Sequence, residues 1–325
     1  MESIILMNSK WGNDIYIPMY LFFGGLTGGM FIVAVVADLI GIKHKAFESF
    51  SKTAALITVP VLALAGLFIT FHLGKPERGL LFPFFFSNYN SWMVIGGWSV
   101  GLAFPVVVGY AALWFFEINQ FYRRLLGVVG IPLLGFVSLY TGLLLSGAKF
   151  VPLWSQQYLP YLFLNSGILT GLAAAGLAFL LFHTFVKTEL DDMSRILQIV
   201  GYAILALIVV EGLELYLFMN HLALNPEKLD ETGKFINPNG GALAYEYVTQ
   251  GVLAPWFWWG IVGMGLTFPL ILTFIEMIFD KIIRPYVNWV AGVKFASILA
   301  GGIILRFVIV WGGDLKAPLV FPPPL

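Results

Sequence analysis

Eight apolar segments dominate this sequence, and each is long enough to cross a lipid bilayer as a helix. A membrane-spanning helix needs about 20 apolar residues. Of the 325 residues, 59% are hydrophobic and only 11% are charged, whereas a soluble domain carries about 25% charged residues. We therefore predict an all-α polytopic membrane protein with eight transmembrane helices. The segments lie at about 16–41, 53–73, 91–116, 125–147, 158–186, 196–219, 254–279 and 288–312.

Charge and cysteine content argue against several kinds of partner and cofactor. The formal net charge is zero, which gives no reason to expect a nucleic acid partner or a polybasic lipid-binding patch. The sequence contains no cysteine. This protein therefore cannot hold an iron–sulfur cluster through thiolates, and it cannot form a disulfide.

The four histidines of the sequence do not form a haem-binding pair. His44 and His221 fall in connecting segments on opposite sides of the membrane, while His72 and His183 fall at opposite ends of the bilayer. Because a membrane b-type haem takes two histidines from facing helices, we predict no haem in this protein. No HExxH motif or other cluster of metal ligands is visible in the sequence either.

The distribution of lysine and arginine predicts which side of the membrane the connecting segments face. Nine of these residues lie in the loops after the first, third, fifth and seventh helices, and seven lie on the opposite side. Cytoplasmic loops carry the excess of positive charge in membrane proteins. We therefore expect both termini, and the segment 71–93, to face outward.

Two pairs of similar segments indicate an internal duplication. The first helix reads YLFFGGLTGG from Tyr20, and the fifth reads YLFLNSGILTG from Tyr161. The third contains GLAFP at 101–105, and the seventh contains GLTFP at 265–269. A repeat of four helices preserves topology, so the two units would form a parallel repeat about an axis along the membrane normal. Chance similarity between apolar segments is the alternative.

On this interpretation the protein divides into two four-helix units. The first unit, 1–150, includes the outer segment 71–93, and the second, 151–325, includes the polar outer segment 220–250. Glycines recur at small-xxx-small spacings in the first helix of each unit. Such residues let membrane helices approach closely, so we expect these glycines to serve packing.

The segment 71–93 combines a helix end, charges and aromatic residues at a predicted membrane surface. An apolar run reaches His72 and stops where Gly74 and Pro76 break the helix. A histidine can hydrogen-bond a quinone carbonyl and exchange a proton near neutral pH. A surface that only anchors headgroups is the alternative. The candidate binding residues at this outer level are His72, Tyr140, Asn13, Tyr16, Lys75 and Arg78.

Ionisable residues inside predicted helices form a second group of candidates, because charge is costly in a bilayer. Glu211 and Glu214 are three residues apart and share one helix face. Two carboxylates this close do not both ionise easily, which suits a proton relay. Arg306 lies in the outer half of the last helix and could pair with either glutamate. A purely structural ion pair has equal weight.

Four more ionisable residues fall near the inner ends of their helices. We interpret them first as ordinary residues at the headgroup level. Together they could instead line an inner entrance for protons that leads to the outer half. These residues are Asp38, Glu117, His183 and Glu276.

The motifs around the candidate residues resemble those of the NrfD/polysulfide reductase membrane-subunit family. HLGKPER followed by NSWM looks like the family's motif between its second and third helices. YTGLLLSGAKFVPLW and LPYLFLNSGILTG are similar to its signature in the fourth and fifth helices. YLFFGGLTGG resembles its first helix and GGIILRFVIVWGG its last. The resemblance covers essentially the whole sequence.

This resemblance implies a membrane anchor without haem that exchanges electrons between menaquinone or ubiquinone and an iron–sulfur subunit with four clusters. That subunit would serve a molybdopterin or other catalytic subunit of a respiratory oxidoreductase in a prokaryotic cytoplasmic membrane. The quinone would bind near the outer surface. Tyr140 matches the family's tyrosine in the fourth helix, and Asn13 and Tyr16 match the polar start of its first helix.

Two rival functions also fit parts of the sequence. Proton translocation through the buried carboxylates and Arg306 could accompany quinone chemistry or occur without it. A secondary transporter fits the apparent parallel repeat. Transporters of that kind break their helices at mid-membrane in matching positions, however, and this sequence shows no such breaks.

Overall fold

The computed structural model describes residues 14–72, 88–148, 151–183, 190–224, 240–278 and 286–314. All regular structure in these segments is helical. Eight of the described helices have the length and apolar composition needed to cross a membrane. The predicted all-α polytopic membrane fold is therefore confirmed.

The helices follow the predicted order, with one short addition, α7, in the outer segment before the seventh membrane helix. Residues 225–239 of that segment lie outside the described residues. The bounds are Tyr16–Gly41 for α1, Ala46–His72 for α2, Trp92–Phe115 for α3, Gln120–Ser146 for α4, Leu159–His183 for α5, Leu190–Ala223 for α6, Gly241–Thr249 for α7, Trp256–Thr267 continued by Phe268–Ile278 for α8, and Val287–Trp311 for α9.

Several helices extend beyond their apolar segments. Both α2 and α4 begin more than one turn earlier than predicted, and α6 is longer at both ends. At the start of α4, Asn119 caps the helix by accepting a hydrogen bond from the backbone N–H of Phe121 at 2.9 Å. A helix that leaves the hydrocarbon keeps its internal backbone bonds, so the apolar run marks the membrane core and not the helix end.

The centre of the bundle is a crossing of α1 and α5 in which the two backbones almost touch. Gly25 and Gly29 of α1 face Gly167 and Gly171 of α5. A Cβ atom at Gly167 would lie 2.8 Å from the carbonyl oxygen of Gly25, and one at Gly29 would overlap the carbonyl group of Gly167. The expectation that these glycines serve close packing is confirmed.

The other membrane helices surround this central pair. α1 packs against α2, α4 and α9, and α5 packs against α6, α9, α4 and α2. Each central helix therefore contacts the membrane helix that follows it and the one that comes third after it. A parallel repeat would produce this arrangement. The repeat, and the division into units 1–150 and 151–325, stay predictions.

The outer part of α8 is wound more widely than an α-helix. Residues Trp256–Thr267 form a π-helix, a conformation in which backbone bonds span five residues. Gly260 and Gly265 are five residues apart, and both meet α9, with Gly265 against Gly301. The wide winding keeps the two glycines on the side of α8 that packs on α9.

The helix ends that the charge distribution predicts to be outside lie together at one face of the bundle. The indole N–H of Trp311, at the end of α9, donates to the backbone carbonyl of Asp14 at 3.4 Å. Trp154, which precedes α5, donates to the carbonyl of Ile309 in α9 at 2.8 Å. We call this the outer face and its opposite the inner face, although the orientation in the membrane stays a prediction.

We expect Gly29→Ala to destabilise the protein strongly, because the new methyl group meets the backbone of α5 and not a movable side chain. Overpacking of this kind costs about 3 kcal/mol, or more where a backbone must shift. Thermal unfolding of the purified protein in detergent measures the effect. Gly101→Ala is the matched control, since a Cβ atom there has no neighbour within 4 Å. Equal melting temperatures of the two variants would contradict the close contact.

Candidate functional site

Asp14 and His72 meet at the outer ends of α1 and α2. One Asp14 carboxylate oxygen lies 2.9 Å from Nδ1 of His72. The other oxygen accepts a hydrogen bond from the backbone N–H of Tyr16 at 2.8 Å, so the aspartate also satisfies a donor in the first turn of α1. The His72 side chain is 33% exposed and that of Asp14 is 10% exposed. The carboxylate therefore orients a partly exposed imidazole.

Aromatic side chains continue this site along α1 and α2. The ring centroids of Tyr16 and Phe71, both exposed, lie 6.3 Å apart. The rings of Phe23 and Phe68, deeper in the same two helices, stack with 5.5 Å between centroids. These four side chains form an aromatic strip that leads from the outer face toward the membrane interior. A planar ring with an apolar tail needs a surface of this kind.

Tyr140 lies deeper, in the outer half of α4, and its side chain is only 3% exposed. Its hydroxyl lies near the side chain of Tyr20 of α1. Its ring packs on Gly96 of α3, where any Cβ atom would overlap the ring. Phe136 stacks on the ring from one turn earlier in α4, with 6.4 Å between centroids. Tyr140 is therefore held by three helices.

The predicted binding residues thus lie at two depths. His72 and Tyr16 are at the outer helix ends, whereas Tyr140 is six residues, or about 9 Å at 1.5 Å per residue, inside the end of α4. A ligand that contacts both levels must extend along the aromatic strip. The remaining predicted binding residues lie outside the described part of the protein: Asn13, Lys75 and Arg78.

Sequence reasoning missed three residues of this site, namely Asp14, Tyr20 and Gly96. Asp14 does carry a signal, because aspartate just before a helix often binds backbone N–H groups of the first turn. Tyr20 stands out in the sequence only as the start of a repeated motif. Gly96 gives no signal, since its role depends on how α3 is rotated toward Tyr140.

A second polar cluster lies in the outer half of the bundle between α5, α6 and α9. Arg306 of α9 is fully buried. Its guanidinium donates to Oγ of Ser166 at 2.5 Å and to the backbone carbonyl of Phe163 at 3.3 Å. The guanidinium also lies over the Phe163 ring, 4.5 Å from its centroid. Neutral groups of α5 therefore bind this buried charge directly.

Glu211 and Glu214 join the cluster through side chains of α5. Glu211 lies beside Ser166, whose hydroxyl accepts the hydrogen bond from Arg306. Glu214 lies near Asn165, whose amide donates to the backbone carbonyl of Leu207 at 3.2 Å. Within the described residues, no carboxylate oxygen lies within 4.0 Å of the Arg306 guanidinium. The expected direct glutamate–arginine pair is therefore absent among the described residues, and Ser166 lies beside both side chains.

Asp38 is the centre of a buried ion cluster at the inner face, which differs from the headgroup-level position that we expected first. Its carboxylate accepts two hydrogen bonds of 2.7 Å from Arg123. Arg124 and Tyr110 each donate one more at 3.2 Å. Arg123 also lies over the Trp114 ring, 3.5 Å from its centroid. With both oxygens occupied, Asp38 connects α1 to α3 and α4.

The other inner-end candidates have different surroundings. Glu117 pairs with Lys52 at 3.1 Å and is 80% exposed, so it lies at the surface. Glu276 of α8 pairs with Lys294 of α9, which is almost completely buried. Sequence reasoning missed Lys294, because a lysine in the second turn of a helix is typical of a surface position. The side chain of His183 lies outside the described part of the protein.

Glu117 and Arg123, the partner of Asp38, line one cavity, whereas Glu276 lies elsewhere. A cavity of about 700 Å³ at the inner face is lined by Lys52, Glu117 and Arg123. The Glu276–Lys294 pair lies between α8 and α9 instead. The structure therefore does not bring Asp38, Glu117 and Glu276 together as a single entrance.

The Glu276–Lys294 pair and the Arg306 cluster follow one another along α9. Lys294 and Arg306 are 12 residues apart, which corresponds to about 18 Å along the helix. A small cavity lies between them, with Glu211 at its outer end and Ile298, one turn from Lys294, at its inner end. Among the described protein atoms, Oε2 of Glu211 and Nε of Arg306 are buried without a hydrogen-bond partner. Both atoms remain able to bind a further polar group.

Comparison with known proteins gives a match over nearly the whole sequence. The family model described as "Polysulphide reductase, NrfD" matches residues 6–317. The protein is 27% identical to the C subunit of polysulfide reductase from Wolinella succinogenes, over 95% of its own length and 99% of that subunit. It is 27% identical to protein NrfD of Escherichia coli, over 92% of its own length and 94% of that protein. A protein NrfD homolog of Haemophilus influenzae is 24% identical over 95% of each protein.

We expect Asp38→Asn to destabilise the protein, because it removes the charge that neutralises the buried guanidinium of Arg123. Breaking a buried ion pair in this way costs about 3–5 kcal/mol. Thermal unfolding in detergent measures the loss. Glu117→Gln is the control, since its partner Lys52 is exposed and surface ion pairs contribute little. A melting temperature of Asp38→Asn equal to that of the wild type would contradict a structural role for this aspartate.

Proposed function

The protein belongs to the Polysulphide reductase, NrfD family, and on that premise we propose that it is the quinone-binding membrane subunit of an oxidoreductase complex. It passes electrons between menaquinone or ubiquinone in the bilayer and an iron–sulfur subunit docked on the outer face. The observation that carries this proposal is the Asp14–His72 pair beside a partly exposed aromatic strip.

The residues of the outer site fit the chemical needs of a quinone. A quinone takes up or releases two electrons and two protons at its carbonyl oxygens. His72 supplies an imidazole at the membrane surface, and Asp14, at 2.9 Å, holds it in position. The aromatic strip supplies an apolar surface for the ring.

Tyr140 has a different role from His72, because it is buried. Its hydroxyl lies near Tyr20, so a ligand oxygen that reaches it enters beside the Tyr20 side chain. In this position the hydroxyl orients one carbonyl oxygen at depth, while His72 exchanges the proton of the other near the surface. The direction of electron flow is open in this arrangement, since each step runs in reverse with the same groups.

The redox centres that exchange electrons with the quinone belong to partner subunits in this proposal. The protein has no cysteine with which to hold an iron–sulfur cluster. One relative is a lettered subunit of polysulfide reductase, which supports a complex of several subunits. We propose a four-cluster iron–sulfur subunit and a molybdopterin or other catalytic subunit as partners, in a prokaryotic cytoplasmic membrane with both termini outside.

Substitution at the two levels of the site tests the proposal. In the purified complex, His72→Ala is expected to lower quinol oxidation about 100-fold, because it removes a proton acceptor. Tyr140→Phe is expected to weaken binding of a quinone analogue about tenfold, because it removes one hydrogen bond to the ligand. Steady-state oxidation of a soluble quinol and inhibitor titration measure the two effects.

Tyr202→Phe is the control for these variants, because Tyr202 is an exposed tyrosine near the inner end of α6. It is expected to leave both measurements unchanged. Wild-type quinol oxidation and wild-type analogue affinity in both His72→Ala and Tyr140→Phe would contradict the proposed quinone site.

Proton translocation is a second candidate function, favoured by the two charged groups along α9. The Glu276–Lys294 pair lies in the inner half and the Glu211–Ser166–Arg306 cluster in the outer half. A proton route would pass from the pair to Glu211, and the cavity between them, of about 10 Å³, has room for at most about one water molecule. The fully bonded Asp38 and the surface residue Glu117 are less suited to such a route.

We expect Glu211→Gln to abolish proton uptake or release across the membrane of proteoliposomes while quinol oxidation continues. The amide keeps the shape of the side chain but cannot carry the proton. A pH-sensitive dye inside the vesicles measures the effect. Glu246→Gln is the control, because Glu246 is exposed on α7. Unchanged proton transport in Glu211→Gln would contradict the route, and a wild-type complex that moves no protons would make these carboxylates structural.

A further inference from the structure

A large cavity lies between α6, α7 and α8, away from the outer site of α1–α4. Its volume is about 620 Å³. Along α6 its lining runs from Ala223 at the outer end to Ile208, a depth of about 22 Å at 1.5 Å per residue. Several lining side chains, among them Val209 and Trp258, are exposed at the surface of the bundle. The cavity therefore opens sideways into the bilayer.

Two features of the helices create this space. The π-helical part of α8 turns its glycines toward α9, and so holds that part of α8 against α9. On the opposite wall, Gly212 of α6 has no neighbour within 4 Å of the position a Cβ atom would take. A groove between two helices is therefore left open at the level of the outer leaflet.

The cavity is more polar at its outer end and mainly apolar at depth, where Thr267 is one polar lining residue. Asn220, Tyr216 and Tyr245 line the outer part, whereas Leu266 and Leu270 line the inner part. The indole N–H of Trp258 donates to the carbonyl of Thr249 at 2.9 Å, which fixes the indole as part of the wall. An amphiphile with its head at the membrane surface and its tail toward the bilayer centre fits this gradient.

Charge and ring content narrow the class of amphiphile. None of the described lining residues is charged, so these residues offer no ion pair to a phosphate or an ammonium headgroup. Four aromatic side chains line it near the outer end, those of Tyr216, Tyr245, Phe257 and Trp258. Aromatic faces and neutral hydrogen-bonding groups suit an uncharged planar ring with carbonyl or hydroxyl oxygens.

We propose that this cavity is a second binding site for a prenylated quinone or quinol, separate from the outer site formed by α1–α4. The ligand ring lies among the aromatic side chains within reach of Asn220 and Tyr245, and the isoprenoid tail lies along Leu266 and Leu270. The ligand class is that of the proposed function, on which the inference rests, but the residues of the two sites do not overlap. The cavity holds a quinone within the protein before or after it reacts.

Photolabelling of the complex in lipid nanodiscs with azido-ubiquinone tests the site. Labelled peptides are mapped by mass spectrometry. We expect labelling of α6 and α8, reduced at least fivefold in Gly212→Phe, which fills the cavity, and in Asn220→Leu, which removes a polar group from its outer end. Gly101→Phe is the matched control, because Gly101 also has open space at its Cβ position but lies in α3. We expect the same labelling of α6 and α8 in this control variant as in the wild type.

The outcomes separate the two sites. Labelling of α6 and α8 that persists in Tyr140→Phe and disappears with excess unlabelled ubiquinone supports the second site. Labelling confined to α1–α4 overturns the second site and leaves the proposed function in place. Labelling confined to α6 and α8 supports the second site and contradicts the outer one. Labelling of α6 and α8 that phosphatidylethanolamine displaces, and ubiquinone does not, identifies a phospholipid as the occupant and overturns the inference.

Discussion

The contact between α1 and α5 is the interaction on which the other parts of the bundle depend. Inside a bilayer, apolar side chains gain little by leaving lipid for protein, so membrane helices are held by close packing and polar contacts. Facing glycines let these two backbones meet at the centre. α2, α4, α6 and α9 pack directly on one of the two central helices, and α3 and α8 pack on those four. The α1–α5 crossing therefore fixes how far each candidate site lies from the centre of the bundle.

Polar groups connect the central helices to their neighbours. The fraction of their hydrogen-bonding atoms that have partners separates structural from reactive groups. Asp38 connects α1 to α4 and has both oxygens occupied by arginine and tyrosine donors. Arg306 connects α9 to α5 through Ser166, yet one of its nitrogens, like one oxygen of Glu211, has no partner among the described protein atoms. The Asp14–His72 pair is partly exposed. A group with spare hydrogen-bonding capacity can take part in proton transfer, whereas a saturated one mainly holds the fold.

The number of membrane-spanning helices could be predicted from the sequence, because the thickness of the bilayer sets the length of each apolar run, whereas the short helix α7 could not. The depth of a residue could be predicted for the same reason, as for Arg306 in the outer half. The side chains that each residue contacts could not be predicted, because these contacts depend on how each helix is rotated about its axis. α3 and α5 are apolar on nearly all sides, so no periodicity shows that Gly96 faces Tyr140 or that Ser166 lies between Glu211 and Arg306. The position of His72 at a helix end marks it in the sequence. Its contact with Asp14 depends on how α1 packs against α2 and could not be predicted.

The glycine crossing also sets an order of events during synthesis. Gly29 and Gly167 are 138 residues apart in the sequence, and ribosomes add about 5–20 residues per second. For roughly 7–28 s, α1 must therefore wait in the membrane with its glycine face against lipid or against the insertion machinery. α2 and α4 can pack on it during that time, but the groove that α5 will occupy stays open. The first four helices thus form a partly assembled bundle, and the packing of α5 on α1 completes its centre.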